Sequence, residues 1–134
     1  MSTTIFVLAA VLAVIPILAI VKVNLERIKE NPEKVEKART NLFIGVAISE
    51  TIPILLIVYG LITMTPVGTM EELYLPGLII IVLMAFAAFF IFLQRSVGTN
   101  DETKGIVTNF SLISLVLVNA IPIISLVGLF MMAP

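Results

Sequence analysis

Four apolar runs, residues 5–21, 42–62, 78–93 and 106–132, take up most of the chain. A helix needs about 20 residues, range ~17–25, to cross the hydrocarbon of a bilayer. The second and fourth runs reach that length by themselves. The first and third are short, and flanking residues such as Lys22 and Gln94 are expected to snorkel or cap them. Inside lipid every backbone N–H and C=O must be satisfied within the segment, so runs of this kind are read as helices. Of the 134 residues, 60% are hydrophobic and 13% charged, too little polar cover for the surface of a soluble domain. The fold class expected is therefore an all-α integral membrane protein with four transmembrane helices. No basic residue precedes the first run and no small-residue cleavage pattern follows it, so it reads as a retained helix rather than a signal peptide.

Charge sets an expected orientation. All eight basic residues (Lys22, Arg27, Lys29, Lys34, Lys37, Arg39, Arg95 and Lys104) lie in or beside the first and third connections. The second connection, residues 63–76, carries only Glu71 and Glu72. By the positive-inside rule the first and third loops are cytoplasmic and both termini lie outside. The net charge of −1 gives no reason to expect a nucleic-acid partner. With neither His nor Cys, the commonest zinc ligands, thiol catalysis, haem ligation by His and disulfides are excluded, and no cofactor is expected.

Local signals place the connections. Asn31-Pro32-Glu33 offers an N-cap, a proline at the first helical position and an acid in the first turn, so a helix is expected from near Pro32. Glu33 and Lys37, spaced i,i+4, support its exposed start. Asn100-Asp101-Glu102 offers a similar start for the fourth helix, and Thr65-Pro66-Val67-Gly68 and Gly98-Thr99-Asn100 read as loops. An internal repeat links the two halves. Asn31 precedes Glu50 by 19 positions and Asn100 precedes Asn119 by 19, an offset of 69 in both comparisons. Glu50-Thr51-Ile52-Pro53-Ile54 is echoed by Asn119-Ala120-Ile121-Pro122-Ile123. The chain is read as two tandem helical hairpins, residues 1–64 and 65–134.

Glu50 lies eight residues inside the second run. At ~1.5 Å per residue this is roughly 12 Å deep, near the middle of a ~30 Å core. A charge at that depth costs about 2.5–3.5 kcal/mol on insertion scales. No Lys or Arg occurs at comparable depth. The expected state is a neutral acid facing lipid and a carboxylate where water or an outside cation reaches it, which is what a reversible proton carrier requires. The competing reading is a structural acid, permanently protonated and bonded to a neighbouring helix. Ser49 and Thr51 flank Glu50, and Asn119 is its counterpart in the second hairpin. An amide donates and accepts but carries no proton, so the chain offers one ionisable site per four helices. Thr51 is a candidate support for the carboxyl, set against the usual habit of such hydroxyls to bond their own helix. Pro53 and Pro122 deprive the carbonyls of Ser49 and Val118 of their normal donors, beside the two polar residues.

The segment 31–56 resembles the proteolipid, or c, subunit of F- and V-type rotary ATPases. Such subunits carry a polar Arg-Gln-Pro-Glu loop and then a membrane helix with a carboxylate seventeen residues later. Here the loop reads Glu30-Asn31-Pro32-Glu33, and Glu50 stands seventeen residues beyond Glu33. The run Phe43-Ile44-Gly45-Val46-Ala47, the acid and the following Pro53 match a common bacterial pattern over about 26 residues. The four-helix size resembles the duplicated V-type form. The resemblance implies a c-subunit-like fold and a homo-oligomer that can close into a ring in a prokaryotic plasma membrane. It also implies stator and central-stalk partners, with proton binding at Glu50 and stalk docking through Glu30, Asn31, Pro32 and Glu33. The family's glycine stripe in the opening helix is replaced by Leu12, Val14, Pro16 and Leu18, and the third helix also lacks one. The small residues present are Ala9, Ala10, Ala13, Ala85 and Ala88. Ile17 stands where Na⁺-type sites take a Gln, which favours H⁺ over Na⁺.

Two functions follow. One is a rotor subunit carrying protons on Glu50 within a proton-translocating ATPase or synthase, with no catalysis of its own. The other is a c-like membrane scaffold, assembly or regulatory protein that is no longer a rotor. Nothing in the sequence resembles a nucleophile with its base, a phosphate loop or a metal cluster.

Overall fold

A computed structural model describes residues 2–96 and 103–134. Four long helices account for most of them: α1 (Ser2–Glu30), α2 (Val35–Thr63), α3 (Tyr74–Ser96) and α4 (Lys104–Phe130). All four are long and apolar enough to cross a membrane, so the chain is an all-α, four-helix integral membrane protein. The expected loop at Gly98-Thr99-Asn100 and the expected helix start at Asn100-Asp101-Glu102 lie outside the described residues.

α1 is longer than its apolar run. It holds 29 residues and passes through Lys22, Glu26, Arg27 and Lys29 without a break. The reason is that its buried face continues: Leu18 and Val21 are followed by Asn24, Leu25 and Ile28, all buried, with the charged residues turned outward between them. The helix stops where the sequence supplies a stop. Asn31 leaves helical geometry, and its side chain accepts from the Glu33 N–H at 3.1 Å. Pro32–Lys34 form a single 3-10 turn before α2 begins at Val35. The cap is the one expected, but this turn delays α2 by three residues. Glu33 falls within this turn, and an ion pair on this segment joins Arg39 to Glu36.

The helices run up, down, up and down. At one end Val67 N–H donates to the Met132 carbonyl at 2.9 Å, and Thr3, Thr63, Val67, Glu72 and Met132 line a shared polar cleft. The start of α1, the end of α2, the second connection and the C-terminal segment therefore gather there. At the other end, Lys29 Nζ donates to the Gln94 carbonyl, tying the end of α1 to the end of α3. The basic residues flank this second end. The start of α3 is built by a feature of the Thr69-Met70-Glu71-Glu72 type, a Thr followed three residues later by Glu. Glu72 Oε2 accepts from Gly68 N–H at 2.6 Å and Thr69 N–H at 3.1 Å.

α1 and α4 form the centre. α1 packs against all three other helices, and α4 packs against α1, α2 and α3, whereas α2 and α3 make little contact with each other. Of the most apolar window of each helix, 44% of α1 and 39% of α4 is buried, against 22% of α2 and 17% of α3. α3 buries only the narrow stripe Ile80, Ala87 and Ile91, and turns Ile81, Val82, Phe86, Phe89 and Phe92 outward. α1 contributes Ala9, Ala10 and Ala13 to the core, all fully buried, while α4 contributes Ser111, Ser114, Ser125 and Gly128. Small side chains allow the backbones to approach, as membrane helices require.

One large ring locks the second-loop end of the bundle. Phe6 of α1 is fully buried between α2 and α4. A Cβ added at Gly128 would stand 2.6 Å from Phe6 Cε1, and one at Gly60 would stand 3.2 Å from the same ring. A Cβ at Gly45 would stand 2.8 Å from Ile20 Cδ1, 3.2 Å from Cγ2 and 3.4 Å from Cγ1, all on one half-buried side chain that can shift. Gly128→Ala is therefore expected to destabilise the protein by about 1–3 kcal/mol through overpacking. Gly45→Ala should cost less than Gly128→Ala, because one aliphatic side chain yields more easily than a fully buried ring, and thermal unfolding in detergent will distinguish the two. In the same assay Lys29→Met should cost about 1 kcal/mol. Gln94→Ala should cost little, because the bond uses the Gln94 backbone carbonyl.

Candidate functional site

α2 buries Ala38, Leu42, Val46, Pro53, Ile57 and Gly60. These positions recur every three or four residues, so they form one stripe along the helix. The gap between Val46 and Pro53 is filled by Glu50, four residues after the first and three before the second. The acid therefore lies on the bundle-facing side of α2 rather than among Ile48, Ile52 and Leu55, which are exposed to the surroundings. Glu50 is half-buried. Its Oε1 is buried and, among the described residues, has no hydrogen-bond partner.

Depth follows from the packing. α1 and α2 are antiparallel, with Gly45 against Ile20 and Gly60 against Ile5 and Phe6. Glu50 is thus level with Ile15 and Pro16, and ~15 Å along the helix from Gly60. Gly128 meets the same Phe6 ring, so Asn119, nine residues before it, lies at about the same depth as Glu50. The two polar residues each stand three positions before a buried proline, Pro53 and Pro122.

Asn119 Oδ1, like Glu50 Oε1, is buried and unpartnered among the described residues. Asn119 stands one turn beyond Leu115, which lines the groove between α3 and α4. Ser49 is half-buried beside Glu50, and its carbonyl lacks the N–H that Pro53 cannot supply. Thr51 is exposed, and its hydroxyl donates to the Ala47 carbonyl at 3.0 Å, one turn back along its own helix. Tyr59 is exposed as well.

The polar loop lies at the other functional candidate, the basic end. Glu30, Asn31 and Glu33 are exposed and Pro32 is half-buried. The turn is tight, with Asn31 N–H donating to the Arg27 carbonyl at 2.9 Å and Lys34 N–H to the Asn31 carbonyl at 3.0 Å. It presents a short, well-braced knuckle beyond α1 and α2.

Sequence reasoning passed over a second set of buried polar groups. Ser111, Ser114 and Ser125 of α4 and Asn24 of α1 are all buried. Ser114 Oγ donates to the Phe110 carbonyl at 2.9 Å and Asn24 Nδ2 to the Ile20 carbonyl at 2.9 Å. The spacing of the serines, three and eleven residues apart, was the available signal, since it keeps them on one helical face. Compared with protein-family models, with curated proteins and with solved structures, the chain gives no match in any of the three.

The hydroxyl of Thr51 is committed to its own helix, so Thr51→Val should leave the reactivity of Glu50 towards a hydrophobic carbodiimide unchanged. Labelling followed by mass spectrometry measures this directly, and a marked change in rate would assign Thr51 to the carboxyl after all.

Proposed function

We propose that this protein carries protons on Glu50, as the rotor-type subunit of a rotary ATPase or synthase. The observation that carries the reading is the placement of an acid at mid-membrane depth on the bundle-facing stripe of α2, half-buried and with Oε1 unpartnered among the described residues. Intramembrane acids of this kind are costly to charge and are characteristic of proton pathways. The resemblance of the segment from Asn31 to Leu56 to the c-subunit pattern supplies the finer part of the proposal. On that reading the ion is H⁺, the loop Glu30-Asn31-Pro32-Glu33 faces the cytoplasm and docks the central stalk, and both termini lie outside. Homo-oligomers and a stator complete the machine. Release into one aqueous path and rebinding from another would move one proton per chain. The charged form has no counter-ion of its own at that depth, so a stator would have to supply the cation.

A second reading, a c-like scaffold that has left the rotary machine, is favoured by one observation. α1 packs against three helices of its own chain, through alanines in place of a glycine stripe, and so commits most of its surface within the protomer.

The test is proton uptake into liposomes carrying the purified protein together with its native membrane partners. Glu50→Gln keeps the shape of the side chain and removes the exchangeable proton, so it should abolish uptake and carbodiimide labelling while preserving assembly. Unchanged uptake would reject the role of Glu50. Native mass spectrometry of the assembly reads the rotor part separately, because a monomer or an open assembly rejects the ring.

A further inference from the structure

Two grooves of nearly equal size open between paired helices near the basic end. One, about 350 Å³, lies between α1 and α2 and is lined by Ala19, Ile20, Val23, Asn24, Arg27 and Asn41. The other, about 370 Å³, lies between α3 and α4, with Ala88, Phe89, Phe92, Arg95 and Ser111 among its lining residues. They correspond by sequence. Ala19, Ile20 and Val23 precede Ala88, Phe89 and Phe92 by 69 residues, the same offset that relates Asn31 to Asn100 and Glu50 to Asn119. The arginines that close them, Arg27 and Arg95, are 68 residues apart.

We propose that the two grooves are a matched pair of sites for anionic phospholipid, one per hairpin. The chemistry is divided along each groove. From the arginine to the alanine at the far end is eight residues in α1 and seven in α3, or roughly 12 Å and 10 Å of helix. That length runs from headgroup depth into hydrocarbon, over a floor that is apolar except near the mouth. An acyl chain fits the floor and a phosphate fits the mouth. Asn41, half-buried in the first groove, adds an amide near the mouth. Arg95 is held over the Phe92 ring, with its guanidinium carbon 4.8 Å from the ring centroid, which fixes the cation above the apolar floor. A guanidinium offers its N–H donors in one plane, a geometry suited to two phosphate oxygens. Each groove is lined by one arginine and no acidic residue, so an anionic headgroup is favoured over a zwitterionic one.

The experiment titrates the purified full chain in detergent with phosphatidylglycerol, and in parallel with phosphatidylcholine of the same acyl chains, and reads bound lipid by native mass spectrometry. Two phosphatidylglycerol molecules per chain should bind more tightly than phosphatidylcholine. Arg27→Gln and Arg95→Gln should each weaken one site by about fivefold, the usual weight of one basic residue at a membrane surface. Lys37→Gln, which removes an exposed charge at the same end but outside both grooves, should leave binding unchanged. Ala19→Leu and Ala88→Leu fill the floors without touching charge and should each displace one lipid. Equal binding of the two lipids, equal loss with Lys37→Gln, or full occupancy after both groove-filling changes would overturn the proposal. Thermal unfolding of every variant separates loss of a site from loss of the fold.

Discussion

α1 and α4 take the buried centre of the bundle, and both mix small residues with large ones there. Ala9, Ala10 and Ala13 of α1 and Ser111, Ser114, Ser125 and Gly128 of α4 are buried together with Phe6, Ile17, Leu25 and Phe110. In lipid the hydrophobic drive between helices is absent, and association rests on close van der Waals contact and interhelical polar groups. Small residues let the backbones approach, and the large ones fill the space that is left. Phe6 fixes the register: one ring occupies the space left by Gly60 and Gly128, so α1, α2 and α4 cannot slide past one another without displacing it.

The position of Glu50 depends on this arrangement. Because α1 and α4 take the centre, α2 is left with one stripe on the bundle and the rest of its circumference to its surroundings. A stripe with an acid in it is a compromise. Full exposure to lipid would desolvate the carboxyl with nothing polar near, and full burial would close it to exchange. Half-burial keeps one oxygen inside while the residue still reaches the edge of the bundle. The same compromise explains why Thr51 and Tyr59 stay out of the site: they lie on the exposed circumference, and Thr51 satisfies itself on the backbone.

Much of this was legible in the sequence, and the misses have physical causes. Four spans, the Asn31 cap and the depth of Glu50 follow from run length, capping chemistry and helical rise. The true extent of α1 does not, because Lys22, Glu26 and Lys29 interrupt the apolar run while Val21, Leu25 and Ile28 continue the buried face beneath them. The small buried residues are hidden for a different reason. Glycine is the obvious marker of close approach, so Leu12, Val14, Pro16 and Leu18 read as its loss. The small residues that are buried in α1 and α4 are alanines, serines and Gly128, at other positions. Of the alanines that stood out in the third helix, Ala85 is exposed and Ala88 half-buried, while Ala87 carries the contact. Facing direction was beyond run-length reasoning altogether, since α2 is apolar on every side and only its partners decide which side is inward.

The two hairpins agree in one respect and differ in another, and the combination bears on mechanism. They share three groove positions at a common offset, a proline three positions beyond the mid-membrane polar residue, and the depth of that residue. They differ in what it is. Asn119 keeps the hydrogen-bonding capacity and size of an amide but cannot exchange a proton. Retaining the depth and the proline while discarding the charge gives a chain twice the width of a single hairpin with one titratable group. On the rotor reading, a ring built from such chains carries fewer protons per turn than one built from single hairpins. Fewer ions per turn means more free energy available to move each one, which suits a pump working against a steep gradient better than a synthase. The asymmetry between Glu50 and Asn119 is therefore where the energetics of the proposed machine would be set.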